Sequence, residues 1–183
     1  MAQVIVVGDG PAGLSAALFI ARGDHDVVVY AQDETAMHYA LLHNYLGIDE
    51  ISGTDFQELA RAQVVDAGGE IVSRGVTGID PDDDGFAVTI EDGNLERGDY
   101  VILAGGKSAQ RLAEAAGAER ADGRVVVDTE YATSVDGLYA VGRVARPTRS
   151  QAVISAGAGA TAALDILARE AGRDVTDWDT PDD

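Results

Sequence analysis

The residues best placed to do chemistry stand near the start of the chain. Val4–Val7 is a short apolar run, and Gly8-Asp9-Gly10-Pro11-Ala12-Gly13 follows it. Glycines at this spacing, between a strand and a helix, suit a dinucleotide diphosphate. Gly8 permits the tight turn, Gly10 removes a side chain so that phosphate can approach the backbone, and Gly13 lets the helix pack close to the sheet. Pro11 and Ala12 belong to the same candidate element, where exposed N–H groups and the helix dipole hold phosphates. Asp9 sits awkwardly in it, because a carboxylate beside a diphosphate costs energy unless it points away. The alternative is a glycine-rich turn without a ligand. No nucleophile–base pair, lysine P-loop or zinc pattern accompanies it, and Ser15 and Ser155 lie on glycine–alanine stretches with no base nearby in sequence. His38 and His43 read better as structural histidines than as metal ligands. No catalytic residue and no metal site is assigned.

These residues need a scaffold. Leu14–Arg22 suits a packed helix and Val27–Tyr30 a second strand, which completes a βαβ unit. The usual nucleotide fold places an acid after that strand to hold a ribose. Here Ala31 and Gln32 stand there, with Asp33 and Glu34 beyond, so Gln32 or one of those acids is the candidate. Residues 33–49 show no clean periodicity, only a polar and aromatic cluster around Met37, Tyr39 and Asn44. A helix is expected from about Thr54 to Ala67, with Ser52 or Thr54 as cap and Gly68-Gly69 as stop. Strands at about 70–79, 86–91 and 95–100, joined by acidic turns, imply an antiparallel meander, with Thr77 counted among its candidate ligand contacts. Further strands are expected at 100–104, 124–128 and 138–141, and helices at 110–116 and 150–170. The fold class is then α/β, a three-layer, Rossmann-like domain. A central parallel sheet is built from strands at 4–7, 27–30, 70–73, 100–104 and 138–141, with helices on one face and the antiparallel meander on the other. Residues 1–170 form one domain and 171–183 an acidic tail carrying Trp178.

The 183 residues include 32 acidic and 13 basic ones, for a formal net charge of −19. Lys107 is the sole lysine. Such a surface disfavours nucleic acid and anionic membranes and should repel itself unless salt screens it. Excess acid with almost no lysine is the composition of proteins from salt-accumulating halophiles. The chain has no cysteine, which removes disulfides, thiolate zinc and dithiol redox chemistry. The apolar runs fall short of a membrane span and no leader precedes the first strand, so a cytoplasmic location is expected.

Four stretches, in order, resemble the FAD-binding domain of the thioredoxin reductase-like flavoproteins, within the pyridine nucleotide-disulfide oxidoreductases. They are Val4–Ala17; His43-Asn-Tyr-Leu-Gly47, similar to an Asn-aromatic-Pro-Gly element; Asp99–Gly106, similar to a strand ending in Ala-Thr-Gly; and Val135–Arg143 with Gln151–Gly159, similar to Gly-Leu-Tyr-Ala-x-Gly-Asp followed by Arg-Gln-Ala. The resemblance implies FAD as cofactor and a flavin contact at Asn44. It also implies cofactor contacts at Ala104, Gly105, Gly106, Gly142 and Arg143, and at Gln151 and Ala152 on a helix start facing the pyrimidine end. It implies a homodimer. Two features depart from the family. The inserted nicotinamide domain and its Cys-x-x-Cys pair are absent between Gly106 and Arg124, so this chain is not expected to reduce thioredoxin. Arg143 replaces the aspartate that bonds ribityl hydroxyls; arginine cannot accept those bonds but can reach a diphosphate as a cation. Arg146 and Arg149 lie beside it, and pairing with surface carboxylates is the alternative for all three.

Three readings follow. The first is a single-domain flavoprotein, an oxidoreductase or electron-transfer protein reduced by free NAD(P)H or by a separate reductase. The second is a non-catalytic FAD-binding or regulatory module. The third is an NAD(P)-binding protein, since GDGPAG does not distinguish the two dinucleotides.

Overall fold

The computed structural model describes residues 1–31 and 35–175. The first strand, β1 (Gln3–Val7), is buried from Val4 to Val7, as a central parallel strand covered on both faces must be. The first helix, α1 (Pro11–Arg22), begins three residues earlier than its apolar run. Pro11 accounts for this, because its ring presets a helical φ and its missing N–H would have no helical partner there. β2 (Asp26–Tyr30) returns parallel to β1, with Val6 opposite Val29.

The segment without periodicity is ordered by local bonds. Ala36–Tyr39 is a 3₁₀ turn capped by Thr35, and β3 (Leu41–Leu42) pairs with β4 (Ile51–Ser52). α2 (Gly53–Asp66) is capped by the Ser52 hydroxyl, which accepts the Asp55 N–H at 3.1 Å. The expected strand at 70–79 divides in two. β5 (Glu70–Val72) joins the parallel sheet, and β6 (Val76–Asp82) opens the meander with β7 (Gly85–Ile90) and β8 (Leu95–Gly98). β9 (Tyr100–Leu103) leads to α3 (Lys107–Ala115), which starts three residues ahead of the expected helix because Gly106 serves as its N-cap. The strand expected at 124–128 shrinks to a two-residue pairing of β10 (Arg120–Ala121) with β11 (Arg124–Val125). β12 (Leu138–Ala140) and α4 (Ala152–Ala171) are the last elements among the described residues.

The parallel sheet runs in the order β12-β9-β1-β2-β5. Alternation divides its core into two layers. Val4, Val6, Ile102 and Tyr139 pack against α1, Val64 of α2 and α4. Ile5, Val7, Val101 and Leu103 pack against Ile79, Phe86, Val88 and Ile90 of the meander. The expected three-layer architecture is present with one correction. α3 lies on the meander face, where Ala109, Leu112 and Ala113 join the second core.

α1 and α4 meet through small residues. A Cβ on Gly159 would strike the Ala12 carbonyl, and Ala158, Ala162 and Ala163 are buried beside Ala16 and Ala17. This corrects the expectation about apolar runs. α4 is long and apolar enough, by length and composition, to cross a membrane, because alanine and glycine dilute its few charges. In this fold half of that stretch is buried.

Candidate functional site

The carboxyl ends of β1, β2, β9 and β12 open into one cleft of about 1030 Å³, at the upper end of the roughly 300–1,000 Å³ usual for a small-molecule site. The turn after β1 forms its floor. Gly8 has φ +108, and its N–H bonds the Tyr30 carbonyl at 2.9 Å. A Cβ there would lie 2.8 Å from the Gly105 nitrogen, so two glycine loops touch at this point. Gly13 backs onto the Gly8 carbonyl and the Ala104 methyl, which lets α1 start close to the sheet. Gly10 is different: nothing lies within 4 Å of where its Cβ would stand. Its missing side chain leaves an open approach to the backbone N–H groups at the start of α1. That is the shape a diphosphate needs.

Three helices begin at this cleft. α1, α3 and α4 have Gly10, Gly106 and Gln151 at their N-caps, no side-chain cap, and no acid in the first turn. All three N-cap residues line the cleft. Their unpaired N–H groups and dipoles make the site electropositive within a strongly acidic chain.

Asp9 is turned away from the opening and is 1% exposed. The Gln57 amide donates to its Oδ2 at 2.7 Å and to its backbone carbonyl at 3.2 Å. Arg61 Nε donates to the same Oδ2 at 3.0 Å, and Nη2 completes the ion pair. Thr35 donates to Gln57 Oε1 at 2.6 Å, which ties α2 to the cleft wall.

Of the residues expected to contact a cofactor, Gly8, Gly10, Pro11, Ala12, Asn44, Ala104, Gly105, Gly106, Gly142, Arg143, Gln151 and Ala152 line this single cleft. Gly13 packs behind it. Thr77 does not reach it. Thr77 is exposed on β6 and donates to the Thr89 carbonyl at 3.2 Å, while Arg74, Gly75 and Val76 supply the lining on that side. Residue type alone does not mark where the parallel strand ends and the meander begins, between Val72 and Val76. Gln32, Asp33, Glu34 and Trp178 lie outside the described residues. Asn44 donates to Gln151 Oε1 at 3.4 Å, joining the 40–50 segment to the start of α4. His38 lines the cleft with its Nδ1 3.1 Å from the Thr54 hydroxyl, while His43 is exposed and outside the lining.

Arg143 is exposed into the cleft, and neither it nor Arg146 or Arg149 has a carboxylate partner among the described residues. Tyr30 also lines the cleft, and burial, aided by nearby Glu96, raises its pKa, so its phenol stays protonated. Gln57, Arg61 and Thr35 support the cleft without any local motif that marks them. Gln57 and Arg61 stand four apart on the side of α2 that also carries buried Val64. Polar residues on a core-facing stripe were the available signal.

A parallel sheet with a glycine turn at the end of its central strand defines a dinucleotide-binding α/β domain. Residues 49–163 match the model of the pyridine nucleotide-disulphide oxidoreductases, and residues 3–70 match an FAD binding domain. The chain belongs to the pyridine nucleotide-disulphide oxidoreductase family, and its cofactor is FAD. Among similar proteins, a thioredoxin reductase of Streptomyces clavuligerus is 30% identical over 142 residues, covering 75% of this chain and 43% of that protein. One from Schizosaccharomyces pombe is 34% identical over 122 residues, covering 60% of this chain and 38% of that protein. The chain thus spans less than half the length of these relatives. In fold, it superposes on a thioredoxin reductase from Gloeobacter violaceus with a TM-score of 0.85 at 20% identity, covering 98% of this chain and 99% of that one.

Proposed function

We propose that this chain is an FAD-binding flavoprotein domain that holds FAD in the cleft and exchanges electrons there, taking them from NAD(P)H or from a reductase. The observation that carries the reading is the convergence of three uncapped helix starts on an open glycine turn. In it, the backbone from Gly8 to Gly13 takes the diphosphate, Gly105 and Gly106 let the neighbouring loop come close, and Arg143 adds a cation. Asn44 borders the flavin, and the α4 start at Gln151 and Ala152 favours negative charge at the pyrimidine end. Bound FAD supplies the redox chemistry; the protein binds, orients and tunes it. With no cysteine, the chain's own residues do not exchange a dithiol with thioredoxin. A homodimer with an acidic surface suited to high salt and a cytoplasmic location belongs to the same proposal.

A non-catalytic FAD-binding module is the second reading, favoured by Arg143 standing unpaired where the resemblance places an aspartate. The test is an absorption spectrum of protein purified in molar salt, followed by anaerobic mixing with NADH and NADPH. Bound flavin that bleaches supports the first reading; flavin that stays oxidised with both nicotinamides, and also when a flavin reductase is added with them, supports the second. A protein that takes up no FAD overturns both.

A further inference from the structure

A carboxylate in the second position of a diphosphate-binding turn is an electrostatic fault. The turn gathers N–H groups and a helix dipole to favour an anion, and Asp9 places a fixed anion among them. Burial aggravates it, because an ion without a partner is strongly disfavoured inside a protein. Two residues of α2 answer this. Gln57, 3% exposed, satisfies both the Asp9 side chain and the Asp9 carbonyl. Among the described residues Arg61 brings the one opposite charge to that carboxylate, through Nε at 3.0 Å and Nη2. Its side chain is 28% exposed and does not line the cleft, so it acts from behind the turn without touching a ligand.

We infer that Arg61 is a positioning and charge-balancing residue for the diphosphate site, cancelling the Asp9 charge so that this turn offers the dinucleotide its N–H groups and the α1 dipole without an opposing anion. The inference rests on the reading that FAD occupies the cleft. It differs from a purely mechanical brace in one respect, which is asymmetry. If the pair were only a strut, loss of either partner would harm binding alike. If charge balance is its role, loss of Arg61 leaves an uncompensated buried anion behind the phosphate-binding turn. Loss of the Asp9 charge leaves a cation behind it.

Titration of FAD into the apoprotein in molar salt, followed by flavin fluorescence, separates the two. A surface pair would be screened under these conditions, whereas a buried pair is screened far less. R61Q is expected to weaken FAD at least about tenfold, equivalent to about 1.4 kcal/mol. D9N is expected to bind FAD at least as tightly as the parent, and the double variant D9N/R61Q within about threefold of it. Riboflavin, which has no diphosphate, is titrated alongside and should show no such ordering. If R61Q does not fold, D9N against D9N/R61Q poses the same question, with the tighter binding expected for D9N. Equal weakening by D9N and R61Q, or R61Q binding like the parent, overturns the inference. A parent protein that binds no FAD at all overturns the cofactor reading instead.

Discussion

The helices of this chain begin in two contrasting ways. α2 starts away from the cleft, with Ser52 capping the Asp55 N–H and Asp55 itself an acid in the first turn. Such a cap contributes about 1 kcal/mol. α1, α3 and α4 start at the cleft, and none has a side-chain cap or an acid in its first turn. The chain has 32 acidic residues, and none of them stands in the first turn of these three helices. The stability forgone at those ends is recovered when an anion arrives to serve as the cap. On the proposed reading, the capped start serves the fold and the bare starts are left for the ligand.

The contrast is broken most directly at Gly10. Its φ of −73 is open to any residue, and nothing lies within 4 Å of a Cβ there. Gly10→Asp should therefore fold, with melting close to the parent, while its side chain fills the diphosphate approach and adds like charge. FAD affinity measured by equilibrium dialysis should fall by about 100-fold or more, roughly 2.7 kcal/mol. Retained affinity would show that the ligand does not lie on this turn. Arg143 comes next. Arg143→Glu removes the cation exposed in the cleft and should weaken FAD by at least about tenfold, the low end of the roughly 1.5–3 kcal/mol of a hydrogen bond to a charged group. Arg149→Glu, outside the cleft lining, should change affinity little, and an equal loss in both would point to a general field instead.

Two of the bare starts, those of α1 and α4, were legible in the sequence, but the start of α3 at Gly106 and the residues that support the site were not. Val4–Val7 and the three glycines after it mark a strand, a turn and a helix by residue type alone, so the floor of the cleft could be placed early. Ala104–Gly106 and Gly142 followed from resemblance at positions the fold also brings to the cleft. Asp9 was visible as a problem, but its solution lies about fifty residues away on α2, and no local pattern links the two. Thr77 went astray because a strand read as continuous from 70 to 79 is divided between two sheets. The break between Val72 and Val76 decides which residues face the cleft. α3 was placed on the wrong face because a short amphipathic helix shows that it has a buried side, not which layer it covers.

A smaller, sharper test exchanges the two kinds of start. Ser52→Ala should lower stability by about 1 kcal/mol in urea melts and leave FAD affinity unchanged. Gln151→Asp gives α4 the capping acid it lacks. It should raise the stability of the apoprotein by about 0.5–1 kcal/mol and weaken FAD, because the carboxylate competes for the same N–H groups. If Gln151→Asp stabilises without loss of affinity, the start of α4 is no part of the ligand site.

The smallest effect is expected at the opposite end of the sheet, where the charges answer one another instead of waiting for a ligand. Arg97 pairs with Asp82, Arg169 with Asp136 and Asp165, and the Tyr100 hydroxyl donates to Glu170 at 2.9 Å. Burial first, and then the bond to Glu170, pushes the Tyr100 pKa up to about 12. The unfolded phenol loses its proton near pH 10, so the folded state holds more protons in the window between. The contribution of Tyr100 is fully present below pH 10 and is lost as pH rises toward 12. Tyr139, raised further by burial and by Asp165, acts in the same direction. Denaturant melts at pH 9 and pH 11 should show the parent losing more stability across that interval than Tyr100→Phe. FAD affinity at pH 9 should be alike in the two. A Tyr100→Phe protein as alkali-sensitive as its parent would mean that this end of the sheet is solvated like any other surface, and the contrast between the two ends would have to rest on the cleft alone.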